Sequence, residues 1–213
     1  GVSREVSVTK TEFDLPAVSS RYGSRIIQDG NRRIGYINLR SFISSADAPL
    51  RQAFASFRSA GITEFIIDFR YNGGGLVSTA ELMGDLLGGN RSSSELFSGL
   101  RYRASKSSRD ENTFFAPRAE SVSPVKIAFI GTATTASASE LVINSMAPYF
   151  GRNLALIGAN TFGKPVGQIA LDRSACDDRV RVVAFSSVNS RNQGEYFNGL
   201  ASTLEVTCQA ADD

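Results

Sequence analysis

Glu64-Phe65-Ile66-Ile67-Asp68-Phe69-Arg70-Tyr71-Asn72-Gly73-Gly74-Gly75 is the stretch on which the fold turns. Its first half is a dense apolar run, which suits a strand buried on both faces of a sheet. The run stops at a glycine triplet. Beyond it Leu82, Leu86 and Leu87 fall on one side of a helix expected over residues 76–87, closed by Gly88-Gly89-Asn90. Strand, tight turn and helix in that order are the grammar of an α/β fold with parallel strands.

The same grammar recurs on either side of this stretch. Arg33-Ile34-Gly35-Tyr36-Ile37-Asn38-Leu39 alternates with period two and reads as a strand. Leu50, Ala53, Phe54 and Phe57 then lie on one face of a helix that Ser44, Ser45 or Asp47 can cap and Gly61 ends. Short strands are expected at 4–10 and 24–28. Residues 91–123 interrupt the pattern with Ser, Arg, Asn and Pro, and form a hairpin or flap around Leu96 to Tyr102. Val125 to Gly131 is another buried strand, feeding Thr135-Ala136-Ser137-Ala138-Ser139-Glu140 and a helix with Leu141, Val142, Ser145, Met146 and Tyr149. Strands near Leu154–Ile157, Gln168–Leu171, Val180–Phe185 and Thr203–Thr207 complete one α/β domain over 1–213 with a β-rich C-terminal part.

Composition narrows the function. With 42% hydrophobic residues the chain can bury a sizeable core. Its 23 basic and 21 acidic residues are interleaved, and the densest basic stretch, Arg101 to Arg109, reads as a solvated loop. Nucleic acid is therefore excluded as a partner, since phosphate binding needs a concentrated basic face. No apolar run reaches the ~20 residues that span a bilayer. A first residue Gly1 suggests a processed chain whose targeting segment lies elsewhere. Cys176 and Cys208 flank a strand-turn-strand segment and can pair across it as a disulfide, which implies an oxidising compartment; the alternative is two unpaired thiols. Two thiols and no histidine make a metal site improbable, and no cofactor is expected.

The absence of histidine also narrows the chemistry. If a serine here is a nucleophile, its base is not an imidazole, and Lys164 in Gly163-Lys164-Pro165-Val166-Gly167-Gln168 becomes the leading candidate. Ser137 opens a helix, where free backbone N–H groups attract developing negative charge. The glycine triplet lets another amide approach, so Ala138 with Gly74 or Gly75 can form an oxyanion hole. Taken singly, Ser137 is also read as a helix N-cap completing a capping box with Glu140, and Lys164 as a surface lysine.

In conjunction, Asp68 to Gly75, Thr135 to Glu140 and Thr161-Phe162-Gly163-Lys164 with Gln168 resemble the S41 serine peptidases, the carboxyl-terminal processing or tail-specific proteases. Gly35-Tyr36-Ile37 with Phe42 matches the strand that opens their catalytic region. The resemblance implies a ClpP/crotonase-like core of β-β-α units. It also implies a serine-lysine dyad of Ser137 and Lys164, Gln168 orienting the lysine and Glu140 as an alternative support. The expected activity is peptide hydrolysis through an acyl-enzyme, on a polypeptide substrate, in the periplasm or another extracytoplasmic space. A free lysine titrates near 10.4, so the mechanism needs an amine brought to neutrality; Phe162, Pro165 and Val166 are the apolar neighbours expected to shield it. Gly73 and Pro165 stand where the family often has proline and glycine. Nothing in residues 1–30 reads as a PDZ domain: either that module lies upstream of Gly1, with strands in 1–30 linking to it, or this member lacks it, and a preference for substrate C-termini does not follow. The competing readings are an inactive peptide- or apolar-ligand-binding module on the same fold and, further off, an acyl-CoA enzyme of crotonase type.

Overall fold

The strand expected at the centre of the chain forms as Glu64–Asp68 (β3), and its neighbours are those the α/β grammar demands. In the computed structural model, which describes residues 3–211 apart from Asp14, one sheet has the order β1-β2-β3-β6-β7-β10. Its members are Ser24–Asp29 (β1), Arg32–Asn38 (β2), β3, Lys126–Gly131 (β6), Leu154–Gly158 (β7) and Thr207–Gln209 (β10). β1 runs antiparallel to β2, and every other pairing is parallel. A second, antiparallel sheet has the order β5-β4-β9-β8, built from Leu96–Tyr102 (β4), Glu111–Phe114 (β5), Val166–Arg173 (β8) and Asp178–Val188 (β9).

Three helices connect the parallel strands: Asp47–Ser59 (α1), Val77–Leu87 (α2) and Ala138–Phe150 (α3). The apolar stripe of α1 is buried as expected at Leu50, Ala53, Phe54 and Phe57, and Gly61 ends the helix region at φ +65°. Phe54, Phe57 and Phe65 form an aromatic cluster with ring centroids 5.7–6.2 Å apart. Leu82, Met83, Leu86 and Leu87 of α2 and Val142, Ile143 and Met146 of α3 join the same core. α3 contains Pro148, which has no N–H to give to the carbonyl of Asn144. The Nδ2 of buried Asn189 donates to that carbonyl at 3.3 Å, so the helix runs through the proline with its acceptor satisfied.

Three expectations need correction. Residues 4–10 form no strand: Val6 and Val8 are 67% and 85% exposed, and alternation without a sheet to face leaves nothing to bury. The last strand is three residues long and begins where it was expected to end, at Thr207. The hairpin expected around Leu96 to Tyr102 forms, with β4 antiparallel to β5; β4 also pairs with β9, and Phe97 and Phe115 enter the core. The cysteines are separate, exposed thiols. Cys176 sits in the β8–β9 turn of one sheet and Cys208 in the edge strand β10 of the other, so the hairpin they were expected to bridge closes on itself instead.

Candidate active site

Sheet register brings the separated motifs together. Asp68 pairs with Ile130 across β3 and β6, and Gly131 pairs with Gly158 across β6 and β7. The turns after β3, β6 and β7 therefore emerge side by side at the carboxyl ends of parallel strands, where such folds collect reactive groups. These turns carry the glycine triplet, the serine turn and the lysine loop.

Asn72 ties the first two. It is fully buried; its Oδ1 accepts the Gly74 N–H at 2.9 Å and its Nδ2 donates to Leu39 O at 2.9 Å. Its carbonyl accepts the Ala136 N–H at 3.1 Å and the Ser139 hydroxyl at 3.0 Å. The second serine of the run is thereby buried and engaged, whereas Ser137 is half-buried and lines the cleft. Ser137 sits at φ 59°, ψ −117°, outside the extended conformation of an ordinary helix N-cap. A non-glycine residue held there carries ~1–3 kcal/mol of strain, which the surrounding bonds must sustain. Gly74 packs directly against it: a Cβ on Gly74 would lie 2.7 Å from Ser137 Cβ and 2.8 Å from Ala138 N.

Glu140 ties the serine turn to the lysine loop. Fully buried, its Oε2 accepts the N–H of Ser137 at 2.9 Å and of Lys164 at 2.8 Å, and its Oε1 accepts the N–H of Gly163 at 2.7 Å. The capping glutamate expected from spacing thus serves two elements, holding both motifs through their backbones. Beneath it Tyr196 is buried with its hydroxyl 3.1 Å from Ser187 Oγ. Burial pushes that hydroxyl's pKa far up, against the Ser187 hydrogen bond, and the charge of Glu140 adds to the rise. Gly163, at φ +89°, leaves no room for a side chain, since its Cβ would meet Phe197 O at 2.3 Å.

Ser137, Lys164, Gln168 and Gly73 to Val77 line one cleft of 770 Å³. Gln168 follows a bulge in β8 at Gly167, where the Phe185 ring occupies the space of a side chain. Of the apolar neighbours expected to shield Lys164, Pro165 is buried and Val166 half-buried, but Phe162 is 63% exposed to solvent. The two glycine candidates differ. The Gly74 amide is already bonded to Asn72, whereas the amides of Gly75 and Ala138 have no acceptor among the described residues. Gly75 has φ +145°, and a Cβ there would lie 2.0 Å from Phe42 O.

Sequence reading missed the far wall of the cleft, formed by Glu81, Leu100, Glu111, Arg181 and Phe185. These come from α2 and the second sheet, and no motif marks them. Burial pushes the Glu81 carboxyl up, the Thr113 hydroxyl opposes, and the charges of Asp85 and Glu111 add to the rise. Among the described residues no group of acidic or thiol side chains could hold a metal ion, and no helix is long and apolar enough to cross a membrane.

The model of peptidase family S41 matches residues 33–203. The chain belongs to peptidase family S41. Its fold is that of its solved neighbours: a Bacteroides fragilis NCTC 9343 protein assigned as an S41 protease aligns over 96% of this chain at a TM-score of 0.82 and 25% identity. The photosystem II D1 C-terminal processing protease aligns over 91% at 0.65 and 19%. The chloroplastic C-terminal processing peptidase of Tetradesmus obliquus is 28% identical over 147 residues, 67% of this S41 chain. The chain spans 29% of that peptidase and 53% and 46% of the two solved chains.

Proposed function

We propose that this S41 chain is a serine endopeptidase that cleaves polypeptides through a Ser137–Lys164 dyad and an acyl-enzyme. The observation that carries the reading is the double attachment of Glu140, which fixes the backbones of the nucleophile turn and the lysine loop against one another at the edge of one cleft.

In this reading Lys164, as the neutral amine, takes the proton from the Ser137 hydroxyl as Oγ attacks the scissile carbonyl. The tetrahedral oxyanion receives the N–H groups of Gly75 and Ala138, both unengaged by the fold. On collapse the peptide C–N bond breaks and Lys164 returns the proton to the leaving amine. Water, deprotonated by the same amine, then hydrolyses the ester. Gln168, exposed on the cleft wall beyond the β8 bulge, orients the lysine. The strained backbone of Ser137 aims its hydroxyl before substrate arrives. Periplasmic or other extracytoplasmic action belongs to the same reading; the algal relative's name gives a chloroplast, and the free thiols lend no support.

The test is hydrolysis of a quenched fluorescent peptide library. Ser137→Ala and Lys164→Ala each reduce the rate by at least ~10³-fold, and the double variant is no slower than either single. Full activity in Lys164→Ala removes the base from the mechanism.

A further inference from the structure

A second pocket, of 430 Å³, shares no residue with the catalytic cleft and is lined mainly by Arg21, Tyr22, Asn38, Arg40, Arg70 and Tyr71. It is built on a fixed frame. Ser19 Oγ accepts the N–H groups of Arg21 at 3.2 Å and Tyr22 at 3.1 Å, which sets the turn leading into β1. The Arg70 guanidinium is gripped by buried Asp68 and lies over the Tyr22 ring at 5.7 Å; the Arg21 guanidinium lies over the same ring at 5.2 Å. Tyr71 is held at φ 61° and is 66% exposed, with its amide bonded to Thr132 Oγ1 at 3.3 Å.

Asp68 matches Arg70, but Arg21 and Arg40 form no ion pair among the described residues. Two exposed guanidiniums thus border a concavity with flat aromatic walls, a combination suited to a planar carboxylate on a polypeptide. The pocket also adjoins the cleft. Arg40 is two residues from Phe42, and Tyr71 two from Gly73; Phe42 and Gly73 both line the cleft. Two extended residues reach at most ~7 Å.

We propose that this pocket is a carboxylate subsite, taking an acidic side chain or the terminal carboxylate of a polypeptide whose neighbouring residues occupy the catalytic cleft. The subsite rests on the peptidase reading, because that reading puts a polypeptide in the cleft.

The experiment uses Ser137→Ala protein, which retains the cleft without turnover. Binding is measured by fluorescence anisotropy for three octapeptides: one acidic with a free C-terminus, one with Asp and Glu replaced by Asn and Gln, and one acidic but amidated at its end. The acidic free peptide binds about tenfold tighter than at least one of the others, the sum expected of two partly exposed pairs, and raised salt narrows the gap. Loss on side-chain neutralisation assigns the group to side chains, and loss on amidation to the chain end. Adding R21Q and R40Q abolishes the preference. Equal binding of all three peptides, no binding, or a preference that survives R21Q/R40Q overturns the proposal. Hydrolysis of peptides by the unaltered protein is scored separately: cleavage without charge preference sinks the subsite alone, and a preference without cleavage sinks the peptidase reading.

Discussion

Glu140 joins two loops that sequence alone treats as independent. Its carboxylate accepts three backbone N–H groups from two loops, so it acts through position and not through contact with substrate. Glu140→Gln keeps the shape but turns an NH₂ toward amides that need acceptors. Misplacement of the dyad by a fraction of an ångström lowers kcat by about a hundredfold, with KM within a fewfold of the parent and a folded protein by circular dichroism. Unchanged kcat would reduce Glu140 to a helix cap. Spacing put this residue at N3 of the helix, and the family resemblance marked it as support. Its second grip, on Gly163 and Lys164, depends on β7 lying beside β6 and was not readable from one strand's pattern. The engagement of the Gly74 amide was likewise illegible, since it comes from the Asn72 side chain turning back onto it.

At the scale of the elements, β3 ends on a buried charge. Asp68 is fully buried at the strand's end; it accepts the Tyr36 hydroxyl at 2.7 Å from β2 and the Arg70 guanidinium at 2.8 Å. Burial alone would push its carboxyl up, but the hydrogen bonds from the Arg70 guanidinium, the Tyr36 hydroxyl and the Arg70 amide outweigh it and hold the group below its ordinary 3.8. Tyr36, buried and facing that carboxylate, is pushed up to about 12. Because the folded pKa of Asp68 is depressed, its stabilisation is full above the ordinary value and is lost as pH falls through the lower folded one. Asp68→Asn therefore lowers unfolding free energy by about 2–3 kcal/mol at pH 7, and the deficit shrinks only below about pH 4. Urea melts of both proteins at pH 7, 5 and 3 check this; a deficit that already shrinks between pH 7 and 5 contradicts it. The strands β3 and β6 were legible because burial on both faces writes a continuous apolar run, and β2 because its residues alternate with period two. The strand expected at 4–10 failed because alternation alone cannot supply a partner.

For the molecule as a whole, the two sheets divide the cleft: the parallel one carries the glycine triplet, the serine turn and the lysine loop, and the antiparallel one supplies the far wall. No covalent tie links their C-terminal parts, since Cys176 and Cys208 are free and exposed. Reductant, or the double change to serine, leaves Tm unchanged within a degree by calorimetry; a fall of several degrees would mean the thiols pair in solution. The β-rich tail was expected, but its division between two sheets was not, because short strands carry no label of the partner they join. Whether Ser137 is a nucleophile activated by Lys164 is answered by intact-protein mass spectrometry after treatment with a fluorophosphonate probe. A single adduct mapping to Ser137 is expected in the unaltered chain, and none in Ser137→Ala or Lys164→Ala. An unlabelled parent protein, or labelling of equal extent in Lys164→Ala, would contradict it.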